Sequence, residues 1–152
     1  MPEANSKPTA VDLDDMVCFN LHAAYRAVSA AYRPLLEPLG VSYPQYLVLA
    51  VLWRDGDLPV GKLVSQLGSD YGTMTPIVKR LEKLGFVTRS RNPNDERSVV
   101  VSLTERGTAL QVQAAGVYPA IAEGFGFSDA RAEAALDVLR GITARAAGSM
   151  GT

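Results

Sequence analysis

The chain has 152 residues, 47% hydrophobic and 20% charged, with one Cys, one His and a net charge of −1. That is one domain's worth of chain, able to bury about two-thirds of its unfolded surface, and its overall charge argues against a generic nucleic-acid coat. A single Cys excludes an internal disulfide, and one Cys with one His falls short of the four ligands of a structural zinc site, so no metal and no cofactor are expected.

Residues 1–11 hold Pro2, Glu3, Lys7 and Pro8, show no signal-peptide pattern, and are expected to be flexible. Residues 12–33 read as a helix. Leu13, Val17, Leu21, Ala24, Val28 and Ala31 recur at steps of three and four, with Asp12, Asp14 and Asp15 at the favourable end of the dipole. Pro34 predicts an end or a kink near Arg33. Pro38 and Gly40 mark a break, and Ser42 caps a second helix, 44–54, which Asp55-Gly56-Asp57 stops. The longest apolar run, 46–53, is too short to cross a bilayer, so a soluble, cytoplasmic protein with no membrane partner is expected.

A short helix follows at 59–67, with Val60, Leu63, Val64 and Leu67 on one face. The next, 70–84, carries Met74, Ile77, Val78, Leu81 and Leu84 inward and stops at Gly85; Pro76 suggests that it starts later than Asp70. The period then changes. Residues 86–91 and 98–103 alternate and are β-branched, a hairpin with a polar tip at 92–97. Thr104 and Glu105 open a helix to about Glu123, which Gly124 and Gly126 break. Ser128 caps a last helix containing Leu136, Val138, Leu139 and Ile142, and 148–152 are expected to be flexible.

Four helices, a hairpin and two helices predict a mainly α fold with a small β-hairpin wing, a winged helix-turn-helix. Residues 43–103 form its DNA-binding region. The outer stretches, 12–42 and 104–147, carry more apolar surface than one small lobe needs and are expected to pair two copies. The charge divides the same way. Residues 60–106 hold eight Lys and Arg against five Asp and Glu, a net of +3, leaving −4 elsewhere. Opposite the core stripe of 70–84 lie Thr73, Thr75, Pro76, Lys79, Arg80 and Lys83. The hydroxyls and the Thr methyls suit base edges, and the cations suit phosphates or guanine. At the hairpin tip Arg97 is placed to enter a minor groove, with Asp95 able to hold it by a carboxylate pair.

The stretches 79–89, Asp95-Glu96-Arg97-Ser98 and Leu103-Thr104-Glu105-Arg106-Gly107 resemble the MarR family of dimeric winged-helix repressors. Cys18-Phe19, Tyr32-Arg33-Pro34-Leu35-Leu36, 41–46 and Gly72-Thr73-Met74-Thr75-Pro76 resemble, more narrowly, its organic hydroperoxide resistance regulators. That resemblance implies a repressor homodimer on a pseudo-palindromic DNA duplex, released when an organic hydroperoxide oxidises Cys18. It also implies that Tyr32 and Tyr43 of the partner subunit hydrogen-bond the Cys18 sulfur. Lacking a second Cys, the chain would take the one-Cys route, a sulfenic acid followed by a mixed disulfide with a low-molecular-weight thiol, or overoxidation.

The chemistry is coherent by itself. Hydrogen bonds and a helix N-terminus lower a thiol's pKa, and Cys18, Leu21, Tyr25, Val28 and Tyr32 share a face suited to a bulky apolar tail. Against this, a lone Cys is usually a small buried hydrophobe, and Asp12, Asp14 and Asp15 would disfavour a thiolate. His22, one turn on, suits a base or a solvated side chain. Two other readings remain: a repressor released by an aromatic or phenolic ligand in the dimer-interface pocket, with Cys18 structural, and a Cys peroxidase. The last is disfavoured by the missing resolving Cys, so no enzyme is expected.

Overall fold

The computed structural model describes residues 9–149; of the ends expected to be flexible, 1–11 and 148–152, residues 1–8 and 150–152 lie outside the described residues, and Gly148 and Ser149 belong to the last helix. Asp12 caps a 3₁₀ turn, Leu13–Asp15, by accepting from the Asp14 N–H at 3.0 Å. Met16 is extended, and helix α1 then runs Val17–Leu36. The single helix expected from residue 12 is therefore two pieces. The local Asp12 bond competes with helix, and the Asn20 amide donates back to the carbonyls of Asp14 and Met16 at 2.9 and 2.8 Å. Pro34 does not end α1 near Arg33; it lies exposed in the last turn, two residues before the end, where only the Ala30 carbonyl loses its helical donor.

A second 3₁₀ turn, Glu37–Leu39, leads to α2, Tyr43–Asp55. Its start is a capping box. Gln45 N–H donates to Ser42 Oγ at 3.4 Å, and Ser42 N–H donates to Gln45 Oε1 at 2.9 Å. Strand β1, Leu58–Pro59, was not expected. It opens α3, Val60–Gln66, and is followed by α4, Tyr71–Lys83, which runs through Pro76. Strands β2, Val87–Asn92, and β3, Asp95–Leu103, turn tightly at Pro93-Asn94. The sheet is antiparallel in the order β1-β3-β2, with Leu58 opposite Val101 and Arg89 opposite Val101 on the other side.

The long helix expected from Thr104 to Glu123 is also two: α5, Glu105–Ala114, and α6, Val117–Phe125. Pro119 explains the break. In one continuous helix its ring would strike the Ala115 carbonyl, whereas in a new helix it falls in the first turn. Gly126, at φ +67°, ends α6, and α7 spans Asp129–Ser149.

The core is centred on α2, α3, α4 and the sheet, where Val48, Leu49, Leu63, Leu81 and Val101 are fully buried. The second half of α1 joins it through Tyr32 and Leu36, α5 through Leu110, and α6 through Val117 and Ile121. The first half of α1 and all of α7 do not. Val17, Phe19, Leu21, Leu136, Val138, Leu139 and Ile142 are exposed, and no described residue of α7 is buried.

Candidate DNA-binding face and redox centre

Helix α4 is held at both ends by its own sequence. Asp70 caps it, accepting from Thr73 N–H at 2.8 Å and from the Thr73 hydroxyl at 3.1 Å. At the other end the Gly85 and Phe86 N–H groups donate to the carbonyls of Glu82 and Leu81, both at 3.0 Å, with Gly85 left-handed at φ +84°. This is a Schellman stop, and glycine accepts that φ without a Cβ penalty. Met74, Val78 and Leu81 face inward. Thr73, Pro76, Lys79, Arg80 and Lys83 are exposed on the outer face as the periodicity predicts, while Thr75 is only half-exposed and turns toward the wing.

The wing is tied to α4 by residues that were not singled out from the sequence. Arg89 N–H donates to Glu82 Oε2 at 3.1 Å, and its guanidinium donates to Glu82 Oε1 at 3.2 Å. Those bonds hold the Glu82 carboxyl below the usual carboxylate range. Behind them, Thr104 Oγ1 donates to the Gly85 carbonyl at 2.6 Å and accepts from Gly107 N–H at 3.0 Å. The Gly107 carbonyl takes the Trp53 indole N–H at 2.9 Å. A Cβ on Gly107 would collide with the Phe86 carbonyl oxygen. The Leu-Thr-x-x-Gly spacing is thus the joint between wing, α2 and α5. Arg106 lies over the Phe86 ring, 4.8 Å from its centroid, and donates to the Leu84 carbonyl at 2.8 Å.

At the tip, Asp95 and Arg97 are both exposed. The expected side-chain pair between them is not formed: Asp95 Oδ1 accepts from the Arg97 backbone N–H at 3.1 Å. Two residues of separation favour this local turn bond over a guanidinium–carboxylate pair. Arg97 lines a cavity of about 340 Å³ between wing and α4, shared with Thr75, Arg89 and Tyr71.

Cys18 is exposed in the first turn of α1, and His22 is exposed one turn later. Tyr32 is 5% exposed, its ring 4.4 Å from that of Tyr43 and 5.8 Å from that of Tyr46. Burial, reinforced by the neighbouring Tyr43, Tyr46 and Tyr118, pushes the Tyr32 phenol up to about 12. Burial likewise raises Tyr43, with smaller contributions from Tyr25 and Tyr46. Both phenols therefore remain protonated donors at neutral pH. The helical face that Cys18, Leu21, Tyr25, Val28 and Tyr32 share is open only over its first half. Fourteen residues at 1.5 Å each separate Cys18 from Tyr32 by about 21 Å along α1, so one chain brings the tyrosines together but not to its own Cys18. Two open hollows flank α1. One of about 760 Å³ is walled by Tyr25, Arg26, Arg33 and Tyr43, and one of about 630 Å³ lies between Val17, Leu21 and the Val138, Leu139 and Ile142 face of α7.

Residues 41–99 match the MarR family. Over 105 residues the chain is 46% identical to the organic hydroperoxide resistance transcriptional regulator of Bacillus subtilis, covering 69% of this chain and 71% of that one. Among solved structures it is similar to reduced AbfR bound to DNA, with a TM-score of 0.73, 28% identity, and coverage of 88% of this chain and 92% of that one. Bordetella bronchiseptica BpsR, whose DNA binding is regulated by 6-hydroxynicotinic acid, shares the fold at a TM-score of 0.80 and 23% identity, over 89% of this chain and 98% of its own. The winged helix-turn-helix, its Leu-Thr-x-x-Gly joint and this similarity lead to one conclusion: the chain belongs to the MarR family and is a DNA-binding transcriptional regulator rather than an enzyme.

Proposed function

We propose that the protein is a homodimeric, cytoplasmic repressor that leaves its operator when an organic hydroperoxide oxidises Cys18. The observation that carries this reading is the placement of Cys18. It stands exposed in the first turn of α1, among uncovered apolar side chains, in a chain 46% identical to an organic hydroperoxide resistance regulator. The Cys18 thiolate attacks one peroxide oxygen of ROOH. An S–O bond forms, the O–O bond breaks, and the alkoxide leaves as ROH after taking a proton, which gives the sulfenic acid. A low-molecular-weight thiol then attacks the sulfur, forming a disulfide and releasing water. The protonated Tyr32 and Tyr43 of the partner subunit donate hydrogen bonds to the thiolate, which lowers its pKa. A second copy covering the apolar faces of α1 and α7 would bring these groups within reach.

On DNA, α4 enters the major groove with Thr73, Thr75 and Pro76 near base edges and Lys79, Arg80 and Lys83 at phosphates or guanine. Arg97, held by the Asp95 turn, enters the minor groove. The duplex is pseudo-palindromic, with half-sites about one helical turn apart.

The decisive experiment treats the DNA-bound protein with cumene hydroperoxide and reads DNA release alongside the mass of the Cys18 peptide. Release should accompany a gain of one oxygen, or of the added thiol, on Cys18, and Cys18→Ser should stay bound. Release of the Ser variant by peroxide would overturn the thiol mechanism. The second reading then takes over: an aromatic or phenolic acid seated in the hollow beside Arg26 and Arg33.

A further inference from the structure

Tyr71 is the first residue of α4 and, at 61% exposure, the one large exposed apolar side chain among the described residues of 43–103. Exposure alone says little, but its placement says more. The phenol lies back across the first turn of α3, so that a Cβ added to Gly61 would come within 2.6 Å of its hydroxyl oxygen. The bare backbone of Gly61 is the space the ring occupies. The ring shares the wall between α4 and the wing with Thr75, Arg89 and Arg97. Among the described residues its hydroxyl makes no hydrogen bond, whereas the neighbouring Thr73 hydroxyl is already donated to Asp70. The start of the helix that faces the groove thus carries a positioned donor with no partner in the chain.

We propose that Tyr71 is a DNA-backbone contact, its hydroxyl donating to a phosphate at the edge of the groove that α4 enters. The inference rests on α4 and the wing facing the duplex. Phosphate suits the residue better than a base edge does. The ring is held back toward α3 instead of projecting along the axis of entry, and neutral hydroxyls beside helix N-termini commonly fix a protein on the backbone. A neutral donor releases no counterion, so it adds affinity without adding to the salt dependence.

The test uses the full-length protein with two probes: a duplex selected by the wild-type protein from a random-sequence pool, and unselected random duplex. Tyr71→Phe should weaken binding about tenfold on both, with the slope of log affinity against log salt and the melting temperature unchanged. Gly61→Ala, which displaces the ring, should weaken binding similarly, and the double variant should lose little more. Wild-type affinity for Tyr71→Phe on both probes would overturn the inference. So would a loss confined to the selected duplex, which would make Tyr71 a base reader, or a fall in melting temperature without loss of affinity. Arg97→Ala separates this from the larger reading. If Arg97→Ala weakens binding and Tyr71→Phe does not, Tyr71 alone is misassigned; if neither does, the DNA face is.

Discussion

The central region, 43–103, and the outer helices are equally rich in apolar stripes, yet they dispose of them in opposite ways. Leu49, Leu63 and Leu81 disappear into the centre of the fold, while Val17, Leu139 and Ile142 remain on the surface. One region satisfies its apolar residues by itself. In the other, the first half of α1 and α7 carry stripes with the right period that the described residues leave uncovered, while the second half of α1, α5 and α6 join the core. A hydrophobic period therefore says that a face needs burial, and not by what. In this chain the uncovered half of α1 is also the half that holds Cys18, so the open apolar surface and the exposed sulfur coincide.

The largest effect expected tests that contrast directly. Leu63→Ala should cost about 2–5 kcal/mol in denaturant unfolding, the usual range for a truncated core Leu. Ile142→Ala should leave far-UV helicity intact and instead shift the oligomer equilibrium in sedimentation. Equal losses of stability at low protein concentration from both would erase the distinction between the regions.

Next, Gly107→Ala forces a Cβ against the Phe86 carbonyl and within 3.2 Å of Leu103 Cδ2. Overpacking of this kind costs about 1–3 kcal/mol. Because the site joins wing to helices, DNA affinity should fall along with the melting temperature. Arg97→Ala should weaken DNA binding about tenfold without changing stability, and Lys79→Ala should reduce the salt slope by about one. Unchanged binding by both would move the DNA face elsewhere.

The smallest effect is visible only in alkali. An unfolded Tyr ionises near 10, whereas folded Tyr32 ionises at about 12. The folded state thus holds its proton longer, so this stabilisation is fully present below pH 10 and is lost as pH rises toward 12. Absorbance titration should show Tyr32 ionising last, after the other raised tyrosines, and Tyr32→Phe should remove that final step.

Much of this molecule is legible along the chain. Ser42 before α2 and Gly85 after α4 act on neighbours within three or four residues, and each marks a helix end where the structure has one, whereas Asp70 caps α4 at a point earlier than Pro76 suggested. The concentration of positive charge in 60–106, the exposed row of Thr73, Lys79, Arg80 and Lys83, and the single Cys are likewise read directly. Proline is read less well. Pro34 and Pro76 both lie inside helices, whereas Pro119 marks the break between α5 and α6. A ring's cost depends on whether the carbonyl four residues back can do without its donor, and flanking sequence does not reveal that.

What the sequence determined by itself is local: helix periods, caps, stops and the winged order of elements. Tertiary structure alone decided that Leu58–Pro59 joins the sheet beside β3, that Glu82 holds Arg89, and that Trp53 reaches the Gly107 carbonyl. It also decided that one face of α1 begins in solvent at Cys18 and ends in the core at Tyr32. The physical reason is one of range. A cap or a period is fixed by neighbours a turn away, whereas burial and long-range hydrogen bonds depend on groups tens of residues distant, whose proximity exists only once the chain has folded.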